Sequence, residues 1–434
     1  MDFKLPEWGG AMVHSDPQMT DSINLSVPKK NVDKVWHRNE LKGEKLGTKG
    51  NGIAGNGTIA VATFNGSRDN LVIYDYTGKY LWRSGFLLNL YATISSPLVD
   101  MNHRVIACDN KRIIMVAPSI DGFKVVWKSR IPRLFRPIRF TPLSFTIVNG
   151  RTLIVPTNYG PVYAFDVNTG ARLAKKYLGL GDNGFRTYFS TVNSACVHGN
   201  RVYILTESNE KTGPPRGRLY AVDVNPDAPK RKRLTEVWMY EFTGKSQASP
   251  LFIDNTLYFD GYMPLKYKDR ACHIYAVTDK GITCEEKWKI KYPHMTMFSF
   301  TKDPRCGFWY EDFRGRKLVR FSEEDGSIKE EIIIEDYVKE GLEKHKPLSC
   351  MTICDYNDPV MIISAFTFTH THYVLAISLK DSNKLIWKVP IISKHGLNYA
   401  GGQFTILKKN ENPSDNRLLF ATYWDGVMAI GENK

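Results

Sequence analysis

Tyr74-Asp-Tyr-Thr-Gly-Lys-Tyr-Leu-Trp82 decides the fold. Its start reads as a short apolar strand, Thr77-Gly78 as a tight turn, and the remainder as a second strand ending on an indole. The pattern returns as Ala164-Phe-Asp-Val-Asn-Thr-Gly-Ala-Arg-Leu173, as Tyr275-Ala-Val-Thr-Asp-Lys-Gly281 running on to Trp288, and as Leu375-Ala-Ile-Ser-Leu-Lys-Asp-Ser-Asn-Lys-Leu-Ile-Trp387. Trp36, Trp82, Trp127, Trp238, Trp288 and Trp387 each close such a unit, at successive gaps of 46, 45, 111, 50 and 99 residues. The two long gaps are double periods, filled by copies carrying Leu173 after Thr169-Gly170 and Ile328 after Asp325-Gly326. A period of roughly 50 residues with several short strands per unit is the signature of a β-propeller.

Each unit reads as four strands, A to D. In the fifth, Ser249–Asp254 is strand A, Asn255–Asp260 strand B, His273–Thr278 strand C and Glu285–Ile290 strand D. Seven such units run from about residue 48 to 392. The eighth is split. Residues 403–407, 417–425 and 426–430 supply its A, B and C strands, and Asp33–Arg38 supplies D from the other end of the chain. Closure of this kind removes the last open sheet edge. The expected architecture is an all-β, eight-bladed propeller over residues 31–434, preceded by an irregular arm, residues 1–30, draped on the surface or partly disordered.

Composition narrows the function classes. No apolar run approaches the roughly 18 residues of a membrane span. The chain carries a net charge of +14 but no nucleic-acid module, so an anionic ligand or surface is a better match than nucleic acid. Seven cysteines form no framework or zinc spacing; free buried thiols are expected, which leans towards a reducing compartment. The start, Met1-Asp-Phe-Lys-Leu-Pro-Glu-Trp8, has no signal-peptide pattern, so a soluble, monomeric, cytoplasmic protein is expected ahead of a secreted one.

The unit Tyr-Ala-x-Asp-x-x-Thr-Gly-x-x-x-Trp, seen best at 163–173 and 74–82, resembles the repeat of the PQQ-like β-propellers. That superfamily holds the quinoprotein alcohol dehydrogenases and the outer-membrane assembly lipoprotein BamB. The resemblance implies that each blade's tryptophan packs against the next blade. The redox chemistry does not carry over with it. Quinoprotein dehydrogenases pair their quinone with adjacent cysteines, and this chain has no Cys-Cys pair. Asn158, Glu207, Asp260 and Asp425 fall at B-strand ends, where oxygen donors suit calcium, but such positions also suit turn residues. No cofactor is expected: bound PQQ and calcium are both disfavoured.

In a propeller the D–A and B–C connections converge on one face around the axial funnel, where loops on a rigid scaffold take ligands. Those connections carry His294, His345, His395 and Tyr399, which suit proton transfer near neutral pH. They also carry Arg136, Arg139 and Arg186, whose planar forks suit carboxylate, sulfate or phosphate. Tyr188, Lys245, Asp260, Tyr262, Trp424 and Asp425 complete the candidate ligand-binding set. Two functions fit. One is a binding propeller that takes an anionic or polyoxygenated ligand, or a partner protein segment, in the funnel. The other is a cofactor-free lyase, hydrolase or cyclase using the same histidines, tyrosines and arginines. His370-Thr-His372 places two imidazoles on one face of a strand but locates no third metal ligand, so no metal site is assigned. Lys230-Arg-Lys-Arg233 reads as a solvated C–D insertion on the opposite face.

Overall fold

Each repeat folds as its pattern demands. The fifth blade has antiparallel strands A Leu251–Ile253, B Thr256–Tyr262, C Cys272–Asp279 and D Cys284–Tyr292. The near-continuous apolar B and C strands are buried on both faces, while the charged D strand is largely exposed. The computed structural model describes residues 2–12, 14–38, 40–41, 44–45, 52–54, 57–62, 71–88, 96–109, 111–131, 145–157, 160–178, 180–181, 184–190, 194–208, 214–246, 248–264, 272–296, 299–312, 316–342, 348, 351–367, 371–392, 404–422 and 426–433. Eight blade sheets result, beside a two-stranded pairing of Glu40–Leu41 with Glu44–Lys45. Seven are built within 52–83, 98–130, 146–177, 196–243, 251–292, 301–333 and 352–392 (blades 1 to 7). In blade 8, Thr405–Leu407, Arg417–Ala421 and Val427–Glu432 are completed by Val32–Arg38, which pairs antiparallel with Val427–Glu432. The expected split closure is therefore present.

The apolar core lies between blades. Ile154 and Val162 of blade 3 pack with Val202 and Tyr220 of blade 4, and Tyr258 and Ile274 of blade 5 with Phe308 and Tyr310 of blade 6. The Asp-x-Thr-Gly turns explain how each joint is fixed. Asp75 Oδ1 accepts from Thr77 N at 2.8 Å and Lys79 N at 2.9 Å, which caps the C–D turn. Gly78 takes φ +77° and lies flat under the Trp36 ring of the preceding blade. Trp36 Nε1 then donates to Tyr76 O at 3.3 Å. The same joint recurs as Trp127 Nε1 to Val167 O, 2.7 Å, over Gly170, and as Trp288 Nε1 to Glu323 O, 3.1 Å, over Gly326. Blade 8 has no C–D turn of its own, and there Trp387 Nε1 donates to Pro28 O of the incoming chain at 2.7 Å.

A β-bulge in all eight C–D pairings aims these side chains. The register shifts by one residue immediately before Trp36, Trp82, Trp127, Trp238, Trp288 and Trp387. The extra residue bends the D strand and turns its successor towards the next blade. In blades 3 and 6 that position is held by Ala174 and Glu330, rather than by the Leu173 and Ile328 that simple counting suggests. Glu330 replaces the indole with polar contacts, accepting from Asn383 Nδ2 of blade 7 at 2.7 Å.

The arm is the main correction to the sequence reading. It does not lie on the surface. It enters the axial channel from the A–B face and its carbonyls cap the innermost strands in turn. Met101 N donates to Lys4 O, Val99 N to Ala11 O, Val197 N to Pro17 O, Phe252 N to Gln18 O, Lys302 N to Thr20 O and Ile353 N to Asp21 O, at 2.7–3.1 Å. Ser22–Ile23 adds as a parallel strand inside blade 7, and Thr405 Oγ1 of blade 8 donates to Gly10 O at 2.7 Å. Phe3, Met12, Met19, Ile23 and Val27 are at most 3% exposed. An A strand facing an empty channel would leave unpaired N–H groups, and the arm satisfies them without needing any sequence period.

Two outcomes follow for stability. Deleting residues 2–31 removes Phe3, Met12, Met19, Ile23 and Val27 from the interior, along with the smaller Ala11, a loss on the order of 10 kcal/mol. A calorimetric scan should then show no cooperative transition near that of the full chain; a melting temperature within a few degrees of it would refute the channel placement. Gly170→Ala puts a Cβ 2.6 Å from the Trp127 ring, whereas Gly281→Ala meets nothing within 4 Å. The first is expected to cost about 2–4 kcal/mol and the second about 1 kcal/mol, read by denaturant unfolding.

Candidate functional site

On the D–A and B–C face, two successive connections of blades 4 to 6 build a cluster of polar side chains. The first leaves blade 4 at Gly244, whose φ of +120° and close approach to Gly261 and Tyr262 leave no room for a side chain. Lys245 and Tyr262 exchange backbone hydrogen bonds of 2.9 and 2.8 Å, which pins the connection to the end of a B strand. The Lys245 ammonium then sits 3.1 Å from Glu207 Oε1 at the neighbouring B-strand end. Ser246 Oγ donates to Asp260 Oδ1 at 2.7 Å. Asp260 is fully buried in the joint between blades 5 and 6, with Cys272 Sγ 3.8 Å from its other oxygen. Burial pushes its carboxyl up to about 7, against the lowering effect of Ser246.

The second connection joins blades 5 and 6. His294 Nδ1 lies 2.8 Å from Asp312 Oδ1, and Tyr292 OH donates to Asp312 Oδ2 at 2.9 Å. Tyr310 OH donates to His294 O at 2.7 Å and fixes the backbone beneath the ring. Asp312 is 1% exposed and the His294 side chain 33%, so a buried carboxylate orients an imidazole that solvent reaches. Adjacent Glu311 points the other way, towards blade 7, fully buried with neither oxygen bonded among the described residues. Burial holds it well above the usual carboxylate range.

The arm supplies the floor. His14 Nδ1 is 2.8 Å from Asp21 Oδ2, and its Nε2 is 3.1 Å from Ser249 Oγ and 3.2 Å from Ser299 Oγ. Those serines precede the A strands of blades 5 and 6, so they lie towards the same face. Asp16, half-buried, accepts from Thr20 Oγ1, and desolvation by the surrounding chain pushes it up to about 6.

Of the residues singled out from sequence, Lys245, Asp260, Tyr262 and His294 are brought together here. Arg186 and Tyr188 fall on Gly184–Ser190, a strand that adds to the B strand Arg201–Ser208 of blade 4 instead of forming an open loop. His345, His395, Tyr399, Arg136, Arg139, Trp424 and Asp425 lie outside the described residues, as do Asn158 and His370. His372 is a core histidine beside Phe366 and Phe420; among the described residues neither ring nitrogen finds a partner, and burial pushes it down to about 3. Sequence reasoning missed His14, Asp21, Ser249 and Ser299. The signal for the serines is the recurrence of a serine two residues before an A strand, at Ser194, Ser249 and Ser299.

The sequence profile of the family described as outer membrane protein assembly factor BamB matches residues 29–261. The chain belongs to that family. No curated protein matches it in sequence. Among solved structures, BamB from Moraxella catarrhalis superposes with TM-score 0.55 at 12% identity, over 93% of this chain and 100% of that one. A europium-containing methanol dehydrogenase gives 0.63 at 13% identity, over 95% and 90%. Quinohemoprotein alcohol dehydrogenase from Comamonas testosteroni gives 0.62 at 10%, over 98% and 81%. At such identities the likeness establishes the shared fold alone. No described helix is long and apolar enough to cross a membrane.

Because this BamB-like fold also houses quinone enzymes, the fit of a calcium-held quinone can be tested on the donors. Glu207, Asp260 and Asp312 end three successive B strands, but each is engaged: with Lys245, with Ser246, and with Tyr292 and His294. Among the described residues no three His, Cys, Asp or Glu side chains gather as metal ligands.

Asp260 gives a pH signature. Burial raises its folded carboxyl from the ordinary 3.8 to about 7, so the native state holds a proton that the unfolded chain releases. The associated stability is complete below about pH 4 and is lost as pH rises to about 7, by on the order of 4 kcal/mol. Asp260→Asn should remove this slope, so that the variant gains on wild type between pH 4 and 7.5 in urea titrations. Parallel stability curves for the two proteins would contradict the assignment.

Proposed function

We propose that this chain is a binding propeller that works without a redox quinone and holds a partner protein segment on the face where the D–A and B–C connections converge. The observation that carries the reading is the arm. It closes the axial channel from the A–B side, so the funnel is one-ended and its floor is the chain's own polypeptide. The arm also exhibits the ring's manner of gripping extended chain, through backbone N–H groups of the inner strands and a parallel added strand. Membership of a family described as an assembly factor supports a protein partner over a metabolite.

One observation favours a second reading. The Tyr292–Asp312–His294 relay orients a solvent-reached imidazole, as acid–base chemistry on a polyoxygenated or anionic ligand requires. On that reading the arginines of the earlier connections anchor the ligand and His294 transfers the proton.

Photo-crosslinking separates the two. A benzophenone side chain at Tyr262 should trap a discrete protein partner in cells, and one at Thr77, on the opposite face, should not. Equal trapping at both positions, or none at Tyr262, overturns the binding reading. His294→Ala should leave the adduct within about twofold, since on the binding reading the imidazole does no chemistry.

A further inference from the structure

The floor of the funnel carries a constellation that binding does not explain. Asp21, His14 and a serine stand in line: carboxylate to Nδ1 at 2.8 Å, then Nε2 to Oγ at 3.1 Å for Ser249 or 3.2 Å for Ser299. We propose that the arm and the ring together form an acyl-transfer centre, with Ser299 as nucleophile, His14 as general base and Asp21 as its orienting carboxylate, acting on small esters.

Several independent features support the assignment. His14 and Asp21 both adopt left-handed backbone, φ +56° and +50°, within a segment where Ser15 and Met19 do the same. Four non-glycine residues in that region are held there only by surrounding structure, and such strain gathers at functional sites. Asp21 is 2% exposed and His14 12%, the usual arrangement of a buried orienter behind a reachable base. Ser299 is the less buried of the two hydroxyls, at 6% against 2% for Ser249. Ser249 N donates to Ser299 Oγ at 2.9 Å, which fixes the orientation of the attacking oxygen beside His14 Nε2. Ser249 Oγ is itself held by Ser194 N at 3.1 Å and acts as a positioning residue.

The step balances without a cofactor. Ser299 Oγ forms a bond to the ester carbonyl carbon as its proton passes to His14 Nε2. Asp21 stabilises the imidazolium through Nδ1–H. Collapse of the tetrahedral species breaks the carbon–alkoxide bond, and His14 returns the proton to the departing alcohol. Water then attacks the acyl-serine by the same relay in reverse and releases the carboxylic acid.

The test uses the full chain with a fluorophosphonate probe and p-nitrophenyl acetate. The expected result is a covalent adduct mapped to Ser299 by peptide mass spectrometry, with ester turnover that falls about a hundredfold in Ser299→Ala and in His14→Ala. His14→Ala alone could unseat the arm, so His14→Gln, which can still bond Asp21 and the serines, is measured alongside a melting curve. Loss of labelling in a His14→Gln protein that melts like wild type supports the assignment. Absence of an adduct in wild type, an adduct on another residue, or labelling within twofold of wild type in His14→Gln overturns it.

Discussion

The structure depends on one joint: the indole of one blade laid on the glycine turn of the next. Gly78 and Gly170 take a left-handed conformation and present bare backbone, so Trp36 and Trp127 approach closer than any Cβ would permit. The indole N–H finds a turn carbonyl, which satisfies a donor that burial would otherwise strand. A bulge one residue earlier aims the ring. Each joint sets the angle between neighbouring blades, and the accumulated angle must close the circle. That explains why Trp387, whose partner blade has no C–D turn, finds its carbonyl on Pro28. Chain entry and exit meet at the point where the repeat would otherwise fail.

Closure and arm seating are therefore one event. Val32–Arg38 can pair with Val427–Glu432 only when both ends of the chain have come together, the most distant pairing the sequence allows. Immediately before that strand, Ser26 Oγ donates to Asp355 Oδ2 at 2.7 Å and the Lys29 ammonium pairs with Asp358, which ties the arm's exit to blade 7. The arm then reaches inner strands of blades 2 and 4 to 8. In effect it is a hub: a ring whose blades otherwise touch only their neighbours gains contacts that cross its diameter.

The fold was legible because the joint needs particular residues at a fixed spacing. A C–D turn glycine recurs at Gly78, Gly170, Gly281 and Gly326 and a tryptophan at six of the eight joints, so period, blade number and split closure could all be read from them. The two slips have physical causes. Counting along the chain puts Leu173 and Ile328 at the tryptophan position because it does not see the residue a bulge inserts; Ala174 and Glu330 stand there instead. The arm was taken for a surface segment because its hold on the ring runs mainly through its own carbonyls, which any sequence provides. Only its buried apolar side chains, such as Met12 and Met19, hinted otherwise, and they follow no period.

The site was legible in part, for a related reason. Lys245, Asp260, Tyr262 and His294 follow from topology, since strand ends and connections can be counted along the chain. What orients them cannot be counted. Asp312 reaches His294 across a blade joint, and His14 meets Ser249 and Ser299 from 235 and 285 residues away. Such pairs depend on the backbone of one segment being bent into place by another. The left-handed residues of the arm are the trace of that bending: extended backbone through positions 14–21 would carry His14 and Asp21 too far apart to share a proton. The ring thus holds the arm in the conformation that joins this pair, and the arm in turn gives the funnel its floor.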